Sequence, residues 1–216
     1  MSKAEETKKA LEQSGLIPVL RASSVEIGNA LAEAMIAGGV TVMEVTMTVP
    51  NALKLLRELK QKYGDKLLLG SGTVTDAAQA EATIEAGAEF VVSPSLHRDV
   101  IETTKKLGKV SVPGGLTPTE VITAWKAGAD YVKVFPCSAM GGASYLKALR
   151  APFPEVKLIP TGGVTLQTAA DFLKAGARAL GVGSDLVNAA AIAEGKPEVV
   201  TNAARAYLDV IRAARG

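Results

Sequence analysis

Short apolar runs rich in β-branched residues alternate along this chain with alanine-rich segments whose apolar positions recur at helical spacing. A turn phrase separates them. It reads 37-AGGV-40, 86-AGAE-89, 127-AGAD-130 and 175-AGAR-178, with weaker versions at 63-YGD-65 and 107-LGK-109. Glycine is the favoured left-handed residue just past a helix end, so each phrase predicts a helix-to-strand turn. The strands this predicts are 16-LIPVLRA-22, 41-TVMEVTM-47, 67-LLLGSGT-73, 89-EFVVS-93, 109-KVSVP-113, 130-DYVKVFP-136, 156-VKLIPT-161 and 178-RALGVG-183. Helices fill the intervals, one precedes the first strand over 3–13, and one closes the chain over about 197–214.

Eight alternating units predict an α/β fold, a (β/α)8 TIM barrel with an extra N-terminal helix. No linker or low-complexity segment breaks the pattern, so residues 1–216 read as one domain, with 1–15 the leading helix and 16–216 the barrel. A doubly wound open sheet is the alternative, and it lacks a G-x-G-x-x-G fingerprint opening the first helix.

Strands of a barrel alternate between the interior and the helix layer. In 130-DYVKVFP-136 this sends Val132 and Val134 to the helices and turns Tyr131, Lys133 and Phe135 inward. In 41-TVMEVTM-47 it sends Met43, Val45 and Met47 outward and Glu44 and Thr46 inward. A lysine in a strand is ordinarily one whose stem packs while its ammonium reaches water, and an inward Glu44 could be only its salt-bridge partner. A buried ion pair is weak evidence for stability, however, because desolvation can cancel the attraction. One acid and one base in the same interior therefore point to use.

Charge and composition narrow the chemistry. The balance of 24 basic against 22 acidic residues, with no basic block, gives no reason to expect a nucleic-acid or membrane-surface partner. The charged start, 1-MSKAEETKKALEQSG-15, has no signal-peptide apolar core, no run is long and apolar enough for a membrane helix, and the lone Cys137 suits a reducing compartment; a cytoplasmic location is expected. His97 is the only histidine, which leaves no material for a His-rich zinc or iron site, and no clustered carboxylates prepare a magnesium site. No metal or other cofactor is expected.

Barrels of this kind do their chemistry at the carboxyl ends of the strands. There stand Arg21, Thr48, Thr73, Pro94, Pro113, Phe135, Thr161 and Ser184. The last two strands end in 161-TGGV-164 and 181-GVGSDL-186, whose glycines let backbone N–H groups approach a phosphate, and a helix start expected after Ser184 would add its positive end. A desolvated lysine beside a proton-shuttling carboxylate can attack a ketone and form a Schiff base, whose iminium withdraws electrons from a neighbouring carbon–carbon bond.

At these residues the chain resembles the 2-keto-3-deoxy-6-phosphogluconate (KDPG) and 4-hydroxy-2-oxoglutarate (KHG) aldolases. The matching pieces are 18-PVLR-21, 44-EVT-46, 70-GSGTV-74, 92-VSP-94, 112-VPGGLTPTE-120, 132-VKVFP-136, 160-PTGGV-164 and 181-GVGSDLV-187. The resemblance implies a homotrimeric class I aldolase of the Entner–Doudoroff pathway acting on a small 2-keto acid. Lys133 would be the Schiff-base lysine and Glu44 the general acid/base. Thr73 would hold the pyruvate carboxylate, and Gly162, Gly163 and Ser184 the phosphate, with Arg21, Thr48, Pro94, Phe135, Thr161 and Gly183 completing the substrate-binding set. Many members carry arginine where this chain has Thr48, which leaves Arg21 as the available cation. An aldolase for the galactonate epimer or a non-phosphorylated 2-keto-3-deoxy acid is the alternative within enzymes, and a non-catalytic, assembly-forming barrel the alternative outside them.

Overall fold

The computed structural model describes residues 2–216. Its strands are β1 Leu16–Leu20, β2 Val42–Thr46, β3 Leu68–Gly72, β4 Phe90–Val92, β5 Val110–Val112, β6 Gly114–Gly115, β7 Val132–Val134, β8 Leu158–Pro160 and β9 Leu180–Val182. The helices are α1 Lys3–Ser14, α2 Val25–Ala37, α3 Ala52–Tyr63, α4 Ala77–Glu85, α5 Arg98–Lys106, α6 Pro118–Lys126, α7 Ala143–Arg150, α8 Leu166–Lys174, α9 Ala189–Ala193 and α10 Pro197–Arg215. No helix among the described residues is long and apolar enough to cross a membrane.

All strand pairings are parallel, as βα alternation requires. Six strands run in the order β5-β4-β3-β2-β1-β9, and three in the order β6-β7-β8. The two sheets meet twice. Thr161 bridges Gly181 beyond β8, and the Lys133 N–H donates to the Pro113 carbonyl at 2.9 Å between β5 and β6. The expected fifth strand stops at Pro113 as the sequence predicts, since Pro113 has no N–H to continue a ladder, and a further short strand, β6, pairs with β7 from Gly114. The other expected strands keep their places and are trimmed by one or two residues, most of them at both ends, by the flanking turns.

Local signals explain the boundaries. Ser24, Asp76 and Thr117 cap the starts of α2, α4 and α6, and Thr117 forms a reciprocal capping box with Glu120 behind Pro118. At the helix ends the turn phrase does what its glycine allows: Gly87 after α4 has φ 113° and Gly128 after α6 has φ 97°.

Inward–outward alternation divides the strand residues into two apolar bodies. Leu16, Leu20, Met43, Val45, Leu69, Val132, Val134 and Leu180 join the helix layer. Ile17, Val42, Phe90, Val110, Tyr131 and Ile159 form a separate inner cluster, and the sheet is curled around it. Leu11 of α1, fully buried, belongs to that inner cluster, so α1 lies across the starting ends of the strands. The Tyr131 hydroxyl donates to Glu12 Oε1 at 2.8 Å, and Lys157 reaches the same oxygen at 2.9 Å, tying α1 to β7 and the approach to β8. Arg215, at the end of α10, donates to the carbonyls of Glu12, Gln13 and Arg178. The two ends of the chain therefore lock on this face.

Candidate active site

The interruption of the inner apolar cluster is where the candidate chemistry sits. Lys133, between the outward Val132 and Val134, is 4 % exposed, and Glu44 of β2 is 2 % exposed. Lys133 Nζ lies 3.7 Å from Glu44 Oε1 and 5.4 Å from the centroid of the Phe135 ring. Both charges face inward as the alternation requires, and the lysine does not escape to water.

Burial pushes the Glu44 carboxyl above its ordinary value, against the opposing pull of Lys133 and Arg21. Its Oε1 is buried and makes no hydrogen bond among the described residues. A buried carboxylate oxygen left without a hydrogen bond is costly, and in an interior that also holds an amine it suits a proton acceptor better than a structural strut.

Gly72 makes room for that carboxylate. A Cβ on Gly72 would fall 1.8 Å from Glu44 Oε1 and 2.4 Å from its carboxyl carbon. The Gly72 backbone is of a kind that any residue adopts, so the methyl of Gly72→Ala has one consequence, displacement of Glu44. Misplacing a reacting group by about 1 Å costs on the order of 10²-fold, so kcat of this variant should fall by about that factor while melting temperature moves little. A Gly72→Ala protein with native kcat would show that the carboxylate works equally well from a displaced position.

A cleft of about 370 Å³ is edged by Arg21, Phe135, Thr161, Gly162, Gly163, Gly183 and Ser184 of the expected residues and by Val19, Val164, Thr165 and Asp185 besides. Lys133 and Glu44 do not line it; Phe135, whose ring lies 5.4 Å from Lys133 Nζ, links the pair to its edge. Sequence reading passed over these last four; Val19 shares the inward parity of Arg21, and Asp185 adjoins Ser184. The N–H groups of Gly163 and Ser184 donate to no protein acceptor among the described residues, whereas that of Gly162 faces the Gly181 carbonyl in the bridge between Thr161 and Gly181. Gly162 and Gly163 have φ 85° and 74°, a left-handed backbone that glycine adopts without strain. A Cβ on Gly163 would collide with Ser138 at 2.2 Å, so this glycine has a packing reason beside any ligand.

One expectation fails here. No helix starts after Ser184: Leu186 and Val187 donate back to the Gly183 carbonyl at 3.0 and 2.9 Å, and the short α9 begins only at Ala189, capped by Asn188. Turn closure uses up those residues, so free amides and Arg21, without a helix end at Ser184, provide the positive edge.

Arg21 has no ion-pair or hydrogen-bond partner among the described residues, and its Nη1 lies 3.8 Å from where a Gly183 Cβ would be. The salt bridge on the rim that would make it structural is not formed. Its charge also opposes the upward push that burial gives the Glu44 carboxyl.

Thr48, Thr73 and Pro94 do not line the cleft. Thr46 Oγ1 gives its proton to the Leu20 carbonyl at 3.0 Å, so in its 2.8 Å contact with Thr48 Oγ1 the donor is Thr48. Thr48 thereby presents lone pairs and no proton outward, which suits a hydroxyl on a ligand and not a carboxylate. Thr73 has φ 60°, a strained value for a β-branched residue and one that clusters at functional sites. The Pro94 carbonyl packs where a Gly114 Cβ would be, at 2.3 Å. Among the described residues no three His, Cys, Asp or Glu side chains converge as a metal site would require.

A family model of "KDPG and KHG aldolase" matches residues 7–203. The chain belongs to the KDPG and KHG aldolase family. Among curated members it is similar to the 2-dehydro-3-deoxy-phosphogluconate aldolase of Treponema pallidum, 36% identical over 204 residues covering 94% of this chain and 96% of that one. It is similar too to the 2-dehydro-3-deoxy-6-phosphogalactonate aldolase of Escherichia coli K12, 33% identical over 91% of this chain and 96% of the other. Among solved structures, the KDPG aldolase of Legionella pneumophila, with pyruvate captured as a covalent carbinolamine, superposes with a TM-score of 0.86 at 33% identity, covering 93% and 97% of the two chains. That family member carries its carbinolamine on the same α/β fold that places Lys133 here.

Proposed function

We propose that the chain is a metal-independent class I aldolase that cleaves 2-keto-3-deoxy-6-phosphogluconate to pyruvate and glyceraldehyde 3-phosphate, and 4-hydroxy-2-oxoglutarate to pyruvate and glyoxylate. The observation that carries this is the buried Lys133–Glu44 pair at 3.7 Å, joined through Phe135 to a cleft edged by unengaged amides.

The neutral Lys133 amine attacks C2 of the keto acid, and Glu44 returns the proton needed to expel water from the carbinolamine. The resulting iminium accepts the electron pair of the C3–C4 bond as that bond breaks. Glu44, now a carboxylate, takes the C4 hydroxyl proton, and the aldehyde leaves. The enamine on Lys133 is protonated at C3, and water releases pyruvate. Gly162, Gly163 and Ser184 hold the phosphate and Thr73 the carboxylate, with Arg21, Thr48, Pro94, Phe135, Thr161 and Gly183 around the bound chain.

In this reading the two sheets are one closed (β/α)8 barrel with an extra N-terminal helix, a single domain over residues 1–216. The bridge at Thr161 and the Pro113 contact support that closure. The protein works as a cytoplasmic homotrimer, as the family resemblance implies. The galactonate epimer is the second reading, favoured by the similarity to the Escherichia coli phosphogalactonate aldolase. The two substrates differ in configuration at C4, the carbon whose hydroxyl faces Glu44.

Incubation with pyruvate and borohydride, followed by mass measurement, tests the chemistry. A single reduced pyruvyl adduct is expected, unaffected by exhaustive EDTA treatment. No adduct, or activity lost to EDTA and restored by a divalent ion, would refute the class I assignment. Assays with both epimers then separate the two substrates.

A further inference from the structure

Tyr207 of α10 is fully buried, yet its hydroxyl reaches two segments that chain order keeps apart. Its one proton is shared between two acceptors, the Val164 carbonyl at 3.3 Å, at the end of 161-TGGV-164, and Asp185 Oδ2, at the end of 181-GVGSD-185. Val164 and Asp185 both line the cleft, beside Gly163 and Ser184, whose amides are unengaged. We propose that Tyr207 is a positioning residue: its single hydroxyl ties the loops after β8 and β9 together and so sets the spacing of the amides that bind the substrate's phosphate. This rests on the phosphate reading given above.

The geometry favours a tether over a packing contact. Tyr207 meets the helix-layer cluster with its ring, which phenylalanine would fill as well, so the hydroxyl is the part that packing does not require. Burial and the adjoining Asp185 hold the phenol well above its ordinary pKa, so it remains a donor at every working pH. Asp185 is an odd neighbour for an anion. The hydrogen bond from Tyr207 holds one of its oxygens on the α10 side and draws charge from it. Amide spacing matters because each backbone donor is fixed, and a shift in one loop relative to the other breaks the match to a phosphate's oxygens.

The test compares KDPG with 4-hydroxy-2-oxoglutarate, which carries no phosphate, on the full-length native enzyme and on Tyr207→Phe. Loss of a positioning hydrogen bond is expected to raise KM for the phosphorylated substrate about three- to tenfold. KM for the other substrate should move by less than about twofold and kcat on both much less than KM. Inhibition by inorganic phosphate should weaken by the same factor as the KDPG KM. Asp185→Ala should reproduce the split, and Asp185→Asn, which keeps an acceptor for the phenol, should show a smaller one. If the native enzyme treats both substrates alike and phosphate does not inhibit, the phosphate reading falls and the tether with it. If the native enzyme discriminates but Tyr207→Phe changes both KM values equally, or neither, the tether alone is overturned.

Discussion

Lys133→Arg should abolish turnover and, with it, the borohydride-trapped pyruvate adduct. Arginine keeps the positive charge beside Glu44 and much of the stem, so the fold retains its buried pair. What it cannot do is lose a proton and attack a carbonyl, because its guanidinium stays protonated at any working pH. Without an iminium there is no electron sink for the C3–C4 bond, and no residual route of comparable rate exists. The measurement is mass spectrometry after reduction, with peptide mapping on the native protein. An adduct that maps to another lysine, or an arginine variant with native turnover, would remove Lys133 from the mechanism.

Glu44→Gln should behave differently. It leaves the nucleophile in place and removes the proton carrier, a loss worth about 10² to 10⁴ in kcat. Pyruvate should still be trapped on Lys133, only slowly, since the first attack needs no help from the carboxylate. The pH profile adds a sign. Because Glu44 acts on the C4 hydroxyl as a base, activity should rise with pH through its folded pKa, which burial sets above the ordinary 4.5. That acid limb should be missing from the residual activity of Glu44→Gln. In stability the sense is reversed. A carboxyl whose pKa is raised on folding costs nothing below its unfolded value. Its penalty grows as pH climbs to the folded value and is constant beyond. An acid limb that persists unchanged in the glutamine variant would assign it to another group.

Lys133 and Glu44 were legible because each breaks an apolar alternation that otherwise holds, and parity alone turned both inward. The glycine phrases were legible because a left-handed turn leaves few other choices. What escaped the sequence depends on contacts between distant segments. Nothing local says that the residues after Ser184 close on the Gly183 carbonyl before a helix can begin. Pro113 could be known to lack an N–H, but not that a further strand would begin at Gly114. Gly72 lies within a matched motif, yet only the folded chain places the Glu44 carboxylate where its side chain would be. Tyr207 reads as one more apolar position on an amphipathic helix; its hydroxyl acquires meaning from Val164 and Asp185. Roles for Thr48 and Arg21 followed from residue type, whereas the direction of a hydroxyl proton and the lack of a carboxylate partner are properties of the assembled site.

Because α1 lies across the starting ends of the strands, with Leu11 in the inner cluster, the interior that holds Lys133 is closed on that face. In the proposed reaction the chain bonded to Lys133 extends past Phe135 to the glycine-edged cleft. Traffic is therefore last in, first out. In cleavage the aldehyde departs while the three-carbon fragment is still tethered, and in the reverse direction the keto acid has to be loaded before the aldehyde arrives. The order in which this enzyme binds and releases its partners is a property of its sealed floor, set by a helix that touches none of them.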